Sequence, residues 1–420
     1  MSNHPALARR LGTFDASLVG LGSMIGAGVF AAFTPAAAAA GSGLLIGLTV
    51  AAFVAFCNAT SSAQLAAAYP TSGGTYVYGR ERLGPWWGFL AGWGFVIGKT
   101  ASAAAMAMTF AAYAAPQGWE RPVAIAAVVL LTAVNYHGVT RTAGLTRVLV
   151  IAVLLALAIA LTAVWGGSGP DFGNVLGEGL LAEGWYGVLQ SAGLLFFAFA
   201  GYARIATMGE EVREPRRTIP RAITIALGIT IVLYAVIAIT LLGVLGPEGV
   251  AGTPTPLADA VGAGSMAWAG PVVRIGAAVA SLGALLALIA GLGRTSLAMA
   301  REHDLPPWLS AVHPRYKVPH RAELTIGAVI CLVIAVADLR GAIGFSSFGV
   351  LLYYLVANLA AYTQPSEERR YPKFLQVAGA VACVGLVVTL PPLSVGLGVL
   401  MFAVGILYRF LRLRRSRLSE

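Results

Sequence analysis

The sequence predicts an all-helical integral membrane protein with about twelve transmembrane helices. Of its 420 residues, 58% are hydrophobic and only 11% are charged, whereas a soluble domain carries charge on roughly a quarter of its residues. Apolar runs alternate along the chain with short charged clusters. Each run has about 18–25 residues, which is enough to cross a hydrocarbon core roughly 30 Å thick.

The apolar runs define twelve predicted spans, preceded by residues 1–13 and followed by a basic tail at 412–420. The first run is too long for a signal peptide, so we expect it to be retained. The predicted spans are 14–38, 43–68, 86–115, 122–139, 145–166, 184–208, 220–246, 270–298, 322–339, 341–363, 374–390 and 393–411.

The distribution of basic residues predicts the orientation. The net charge is +10, and most Lys and Arg residues fall in alternate loops. Only Arg121, Arg274 and Arg340 fall in the loops of the opposite side. By the positive-inside rule, both termini face the cytoplasm of an inner-membrane protein, which requires an even number of spans. The positive charge therefore reflects topology, and we expect the lipid bilayer rather than nucleic acid as its partner.

Residues suited to catalysis or metal binding are scattered. Cys57, Cys331 and Cys383 lie inside separate apolar runs, which predicts neither a disulfide framework nor a metal site. No histidine lies at nucleophile or metal-ligand spacing from a cysteine or a carboxylate. We therefore expect no cofactor and no enzymatic activity. The alternatives of a membrane-embedded enzyme or a channel lack a convergent acid–base group and a repeated pore motif, respectively.

Glycines interrupt two of the predicted spans at matching places. The first span contains Gly20, Gly22, Gly26 and Gly28, and the sixth contains Gly201 after a phenylalanine-rich run. Paired interruptions five spans apart predict discontinuous helices and an inverted repeat around a binding site at the midplane. The alternative is that the glycines let helices pack closely, since Gly22 and Gly26 also fit the Gly-x-x-x-Gly spacing.

Six segments make the chain resemble the amino acid–polyamine–organocation (APC) superfamily of transporters. They are Gly22–Phe30, Tyr69–Tyr76, Leu83–Trp93, Phe196–Arg221, Arg294–Pro307 and His313–Tyr316. They occur in the family's order and are distributed over residues 14 to about 325.

The resemblance implies a LeuT-type fold with two inverted repeats of five helices. The repeats would occupy residues 14–166 and 184–363, with the last two helices at 374–411. It also implies secondary transport of a small-molecule amino acid substrate by alternating access. The sequence leaves the oligomeric state open.

The resemblance also implies a substrate site at the two interrupted spans. The substrate carboxylate would meet backbone N–H groups near Ala27 and Gly28. Its ammonium group would meet backbone carbonyls near Met24, Phe197 and Ala200. The full set of predicted substrate-binding residues is Met24, Ile25, Gly26, Ala27, Gly28, Lys99, Phe197, Ala198, Ala200, Gly201 and Tyr202. Phe197, Phe199 and Tyr202 are candidates to cover the substrate, or else they pack as ordinary core aromatics.

Lys99 is one of two basic residues predicted to lie inside a span. A basic side chain at mid-membrane costs roughly 2.5–3.5 kcal/mol on insertion scales, so it normally faces protein or a wet cavity. The position of Lys99 aligns with one that faces the substrate side chain in arginine-exchanging relatives. A fixed ammonium there predicts a substrate with a neutral or acidic side chain. The alternatives are a structural role for Lys99, or a carrier of cationic amino acids or polyamines.

The coupling ion is left open among three routes. Some proton-coupled relatives carry a lysine in the fifth span, where this chain has Val153. The three routes are Lys99 as a displaced proton carrier, Na⁺ held by carbonyls and hydroxyls such as that of Ser281, and exchange without an ion.

Charged residues at the end of the sixth span are candidates for gating. Arg204, the second basic residue inside a span, is expected to line the cytoplasmic vestibule or to pair with Glu210 or Glu211 about two turns on. The cluster of Glu211, Arg213, Arg217 and Arg221 is a candidate for a latch on the inner gate, or else it is topological charge.

Overall fold

A computed structural model describes residues 11–70, 73–138, 143–167, 169–177 and 179–418. These residues form helices joined by short connections. The helices are α1 Thr13–Ile25, α2 Gly28–Ala31, α3 Phe33–Ala40, α4 Leu44–Ala68, α5 Gly74–Leu83, α6 Pro85–Ala114, α7 Glu120–Tyr136, α8 Ala143–Trp165, α9 Phe172–Leu176, α10 Gly184–Phe199, α11 Ala203–Ala206, α12 Pro215–Gly252, α13 Pro256–Gly262, α14 Gly270–Arg301, α15 His320–Val336, α16 Leu339–Tyr362, α17 Lys373–Thr389 and α18 Pro392–Leu418.

Nine helical stretches in the described part of the chain are long and apolar enough to cross a bilayer. The chain is therefore a multi-pass membrane protein. Each predicted span has a helical counterpart, but α7, α15 and α17 have 17 residues each. At 1.5 Å per residue, such a helix is roughly 25 Å long, slightly less than the hydrocarbon thickness. The count of twelve spans stays a prediction.

The first predicted span is interrupted in its middle. Helix α1 ends at Ile25, and Gly26 has φ −43° and ψ −124°, outside the helical region. The chain resumes helical geometry at Gly28 as α2. The sixth predicted span changes less. There α10 passes into a 3₁₀ turn at Ala200–Tyr202 and then into the short α11.

The glycines of these spans also permit close helix packing. A Cβ atom on Gly28 would lie 2.6 Å from Ala198 Cα, and one on Gly201 would lie 2.3 Å from the carbonyl carbon of Ser23. The first and sixth spans therefore touch through their backbones at two glycines. Gly22 instead faces α8 and Gly26 faces α14. The two glycines of the Gly-x-x-x-Gly spacing thus contact different helices.

Around this contact, α6 packs against α14 and α16, and α4 packs against α10 and α12. The C-terminal helix extends further than the sequence indicated. Helix α18 continues to Leu418, so most of the predicted tail at 412–420 prolongs the last span. Residues 1–10 of the predicted N-terminal segment lie outside the described residues.

Candidate functional site

The predicted substrate-binding residues come together where the first and sixth spans cross. Met24, Ala27, Ala198, Ala200 and Tyr202 are at most 3% exposed. The predicted site is thus closed to solvent. Ile25, Gly26, Gly28 and Phe197 are buried as well, whereas Gly201 is partly exposed.

Lys99 projects from α6 to the turn in the sixth span. The side chain is 9% exposed, and its Nζ donates to the carbonyl oxygen of Ala200 at 3.4 Å. Among the described residues it forms no ion pair with a carboxylate. The ammonium group therefore lies within the predicted substrate site, and its polar partner is a backbone carbonyl.

Tyr234 connects the two spans and was missed from the sequence. Its hydroxyl, carried by α12, lies 2.7 Å from the carbonyl oxygen of Met24 and 3.1 Å from that of Ala198. One carbonyl belongs to the first span and the other to the sixth. Because a hydroxyl has a single proton, the two carbonyls share this donor.

Two more tyrosines donate to the same region. Tyr354 of α16 donates to the Ala200 carbonyl at 3.4 Å, and Tyr113 of α6 donates to the Phe30 carbonyl at 3.2 Å. The only signal in the sequence was a tyrosine inside an apolar run, whose hydroxyl needs a partner when it is buried. Periodicity does not reveal which carbonyl it finds.

Two of the three carbonyls predicted to bind a substrate ammonium, those of Met24 and Ala200, thus already accept hydrogen bonds from side chains. Tyr234 occupies that of Met24, while Lys99 and Tyr354 share that of Ala200. A carbonyl oxygen has two lone pairs, so the Met24 oxygen keeps one for a further donor.

The candidate cover aromatics pack against these tyrosines. The ring centroid of Phe199 lies 5.0 Å from that of Tyr234, and that of Tyr202 lies 5.1 Å from that of Tyr354. Phe197 is 7% exposed. Phe199 and Tyr202 therefore support the turn of the sixth span from inside the core.

A second feature lies on the opposite side of the first span. A cavity of about 20 Å³, large enough for one water molecule, is lined by Gly22, Gly26, Val153 and Ala280 among others. The neighbouring Ser281 is fully buried, and its Oγ has no hydrogen-bond partner among the described residues. Val153 thus lies beside the interruption of the first span.

The predicted gating residues lie at the exit of the sixth span. Arg204 Nη2 is 3.8 Å from Glu211 Oε1. Arg217 instead lies 3.8 Å from Glu214, in a pair that is largely exposed. The predicted latch therefore does not join Arg217 to Glu211 by a direct ion pair.

The chain just before α1 is tied to the same exit. The N–H of Leu11 donates to the carbonyl oxygen of Glu211, and the N–H of Arg213 donates to that of Leu11. An ion pair between Asp15 and Arg147 also links α1 to α8. These bonds fix the start of the first span against the segment that follows the sixth.

Replacing Tyr234 with phenylalanine is expected to lower the free energy of unfolding by about 1–3 kcal/mol, because two buried carbonyls lose their shared donor. Thermal unfolding of the purified variant measures the loss. Tyr362→Phe is the control, since that side chain is 42% exposed. Equal midpoints for both variants would contradict the bridging role of Tyr234.

Known proteins place the chain within a family. Residues 11–411 match the model of the amino acid permease family. A transporter of Mycobacterium tuberculosis described as uncharacterised is 58% identical, over 95% of this chain and 90% of its own. A branched-chain amino acid permease of Bacillus subtilis is 26% identical, over 92% of this chain and 87% of its own. The human cationic amino acid transporter 4 is 28% identical, over 83% of this chain and 58% of its own. The chain belongs to the amino acid permease family of the APC superfamily, and it is a transporter rather than an enzyme.

Proposed function

We propose that the protein is a secondary transporter that moves an amino acid with a neutral or acidic side chain across the cytoplasmic membrane by alternating access. The observation that carries the proposal is the buried Lys99 ammonium, 3.4 Å from a carbonyl at the turn of the sixth span. That turn touches the interruption of the first span through Gly201 and Gly28. Both features lie among the residues predicted to bind the substrate.

The charge of Lys99 sets the preference for substrate. Like charges a few ångströms apart at low dielectric repel by several kcal/mol, and no described carboxylate pairs with Lys99. A substrate with a second ammonium or a guanidinium group would meet this repulsion. A relative that is named a branched-chain amino acid permease supports a neutral side chain.

A carrier of cationic amino acids is the second candidate, favoured by relatives that are named cationic amino acid transporters. Uptake into proteoliposomes separates the two candidates. We expect saturable uptake of a neutral amino acid such as leucine, and uptake of arginine, lysine and putrescine at background level. Saturable uptake of any of these three cations would defeat the proposed substrate class.

The inner side of the site is proposed to open by releasing the ties at the sixth span's exit. The Arg204–Glu211 pair is partly exposed, at 36% and 33%, so it is worth roughly 0–1 kcal/mol and is easily broken. The backbone bonds between Leu11 and residues 211–213 would separate in the same step. Such weak ties suit a gate that must open in every cycle.

For the driving ion, we propose a proton carried by Lys99. Sodium is the alternative, because the Ser281 hydroxyl is buried without a partner among the described residues and follows Ala280, which lines the small cavity with Gly26; oxygen atoms are the ligands that hard cations prefer. Ser281→Ala separates the two. Under the proton proposal, the variant keeps pH-driven accumulation, and replacing Na⁺ with choline changes nothing. Accumulation that needs Na⁺ and is lost in Ser281→Ala would establish the alternative.

A further inference from the structure

A lateral groove lies between α7 and α15, apart from the proposed substrate site. It has a volume of about 500 Å³, and its lining residues are mainly apolar. Val129 and Leu324 in its walls are 58% and 50% exposed.

The groove runs along its two helices, which are antiparallel: the Tyr136 ring lies 6.1 Å from that of His320, and at the other end Arg121 donates to the carbonyl oxygen of Ala335. Val128 and Cys331 lie at its deep end, while Tyr136, His137 and Leu324 lie toward the end of α7 and the start of α15. At the floor of the groove Gly327 lets α15 approach α7 closely, since a Cβ atom there would lie 2.7 Å from Thr132 Oγ1. On the predicted topology α7 and α15 cross the bilayer, so the apolar groove between them would face hydrocarbon and accommodate an acyl chain.

Basic residues surround the end of the groove nearest the surface. Arg321 precedes Leu324 by three residues and Ala328 by seven, so it lies on the same face of α15 as the groove. Arg315 and Lys317 are exposed in the preceding loop. None of these three forms an ion pair with a carboxylate among the described residues. The nearby Glu323 is 3% exposed and contacts Gly293 of α14.

Aromatic rings lie at the same end of the groove, which we call its mouth. Tyr316 lies 6.1 Å from Tyr136 and 5.2 Å from His137, measured between ring centroids. The Arg315 guanidinium carbon is 5.4 Å from the Tyr316 ring centroid. Amphipathic rings of this kind favour the headgroup level of a bilayer. The mouth thus combines interfacial aromatics with uncompensated positive charge.

We propose that this groove binds an anionic phospholipid, with one acyl chain between α7 and α15 and the phosphate held by Arg321 and its basic neighbours. The apolar lining suits the acyl chain, and the positive charge at the mouth suits the phosphate. The two parts of the lipid thus follow the same order as the two parts of the groove. Basic pockets between membrane helices recognise anionic headgroups in this way. The site is independent of the proposed transport cycle.

Native mass spectrometry of the delipidated full chain, titrated with dioleoyl phosphatidylglycerol or dioleoyl phosphatidylcholine, tests the proposal. Ala328 is exposed and lines the groove, so Ala328→Phe fills it without a core clash and is expected to lose one tightly bound phosphatidylglycerol. Ala403→Phe, on an exposed position of α18, is the matched control and keeps it. Arg321→Gln is expected to weaken phosphatidylglycerol about fivefold and phosphatidylcholine little.

Cys331 provides a second readout within the same protein. It lines the groove and is partly exposed, whereas Cys57 and Cys383 are fully buried. Saturating phosphatidylglycerol is expected to slow alkylation of Cys331 by N-ethylmaleimide, while glycerol 3-phosphate, which lacks acyl chains, does not. Equal lipid retention by Ala328→Phe and wild type would overturn the proposal. The proposal would also be overturned if Ala328→Phe lost a dimer and kept the lipid, because a second copy of the chain would then occupy the groove.

Discussion

Replacing Lys99 with methionine is expected to reduce pH-driven accumulation of the substrate by about 10–100-fold. The variant loses a charged donor to the Ala200 carbonyl, and a hydrogen bond from a charged group is worth about 1.5–3 kcal/mol. Methionine is close to lysine in length and keeps the apolar stem packed. The loss therefore reports the ammonium group itself. Uptake into proteoliposomes along an imposed pH gradient measures it.

Two controls separate coupling from folding in this experiment. Lys373→Met removes a lysine whose Nζ lies over the Tyr362 ring near the membrane surface, and it should leave accumulation unchanged. Counterflow by Lys99→Met, driven by trans substrate alone, distinguishes loss of coupling from loss of binding. If Lys99→Met accumulated substrate along the pH gradient at the wild-type rate, Lys99 would not be the proton carrier.

Replacing Asp304 with alanine is expected to lower the free energy of unfolding by about 3–5 kcal/mol, the cost of leaving one partner of a buried ion pair uncompensated. Its carboxylate pairs with Arg409 of α18 and with Arg80 of α5, and the side chains of Asp304 and Arg409 are 5% and 7% exposed. Tyr76 donates a further hydrogen bond at 2.8 Å. The carboxylate thereby ties the last helix to α5 through the loop after α14.

Thermal unfolding in detergent measures this loss, and two further variants interpret it. Arg217→Ala breaks a pair whose side chains are 76% and 73% exposed, so its effect should stay below about 1 kcal/mol. Adding Arg409→Leu to Asp304→Ala removes the unpaired charge and should recover part of the lost stability. An Asp304→Ala midpoint as high as that of Arg217→Ala would contradict a buried ionic anchor.

The sequence predicted the helical membrane architecture because apolar run length reflects bilayer thickness directly. The interruption at Gly26 was also predictable, since glycine places no Cβ in the way of a non-helical turn. The sixth span was harder to predict. Gly201 marked the right place, but the structure tightens the helix there into a 3₁₀ turn instead of unwinding it.

The bonds within the site were not predictable from the sequence. Tyr234 and Tyr354 lie in apolar runs far along the chain from Met24 and Ala200. Their contacts depend on helix rotation and packing, which periodicity does not specify. The role of Asp304 was not predictable either. A carboxylate in a polar loop is expected to be exposed, whereas Arg409 and Arg80 enclose this one.

A structure with a bound amino acid would show whether the substrate lies between the first and sixth spans. A thermal-shift screen of the purified protein first selects the amino acid that raises the unfolding midpoint, since a ligand that binds the native state stabilises it. We expect density for that ligand between Gly26–Gly28 and Ala198–Tyr202, with its side chain near Lys99. Density elsewhere, with α1 and α2 joined as one continuous helix, would contradict this expectation.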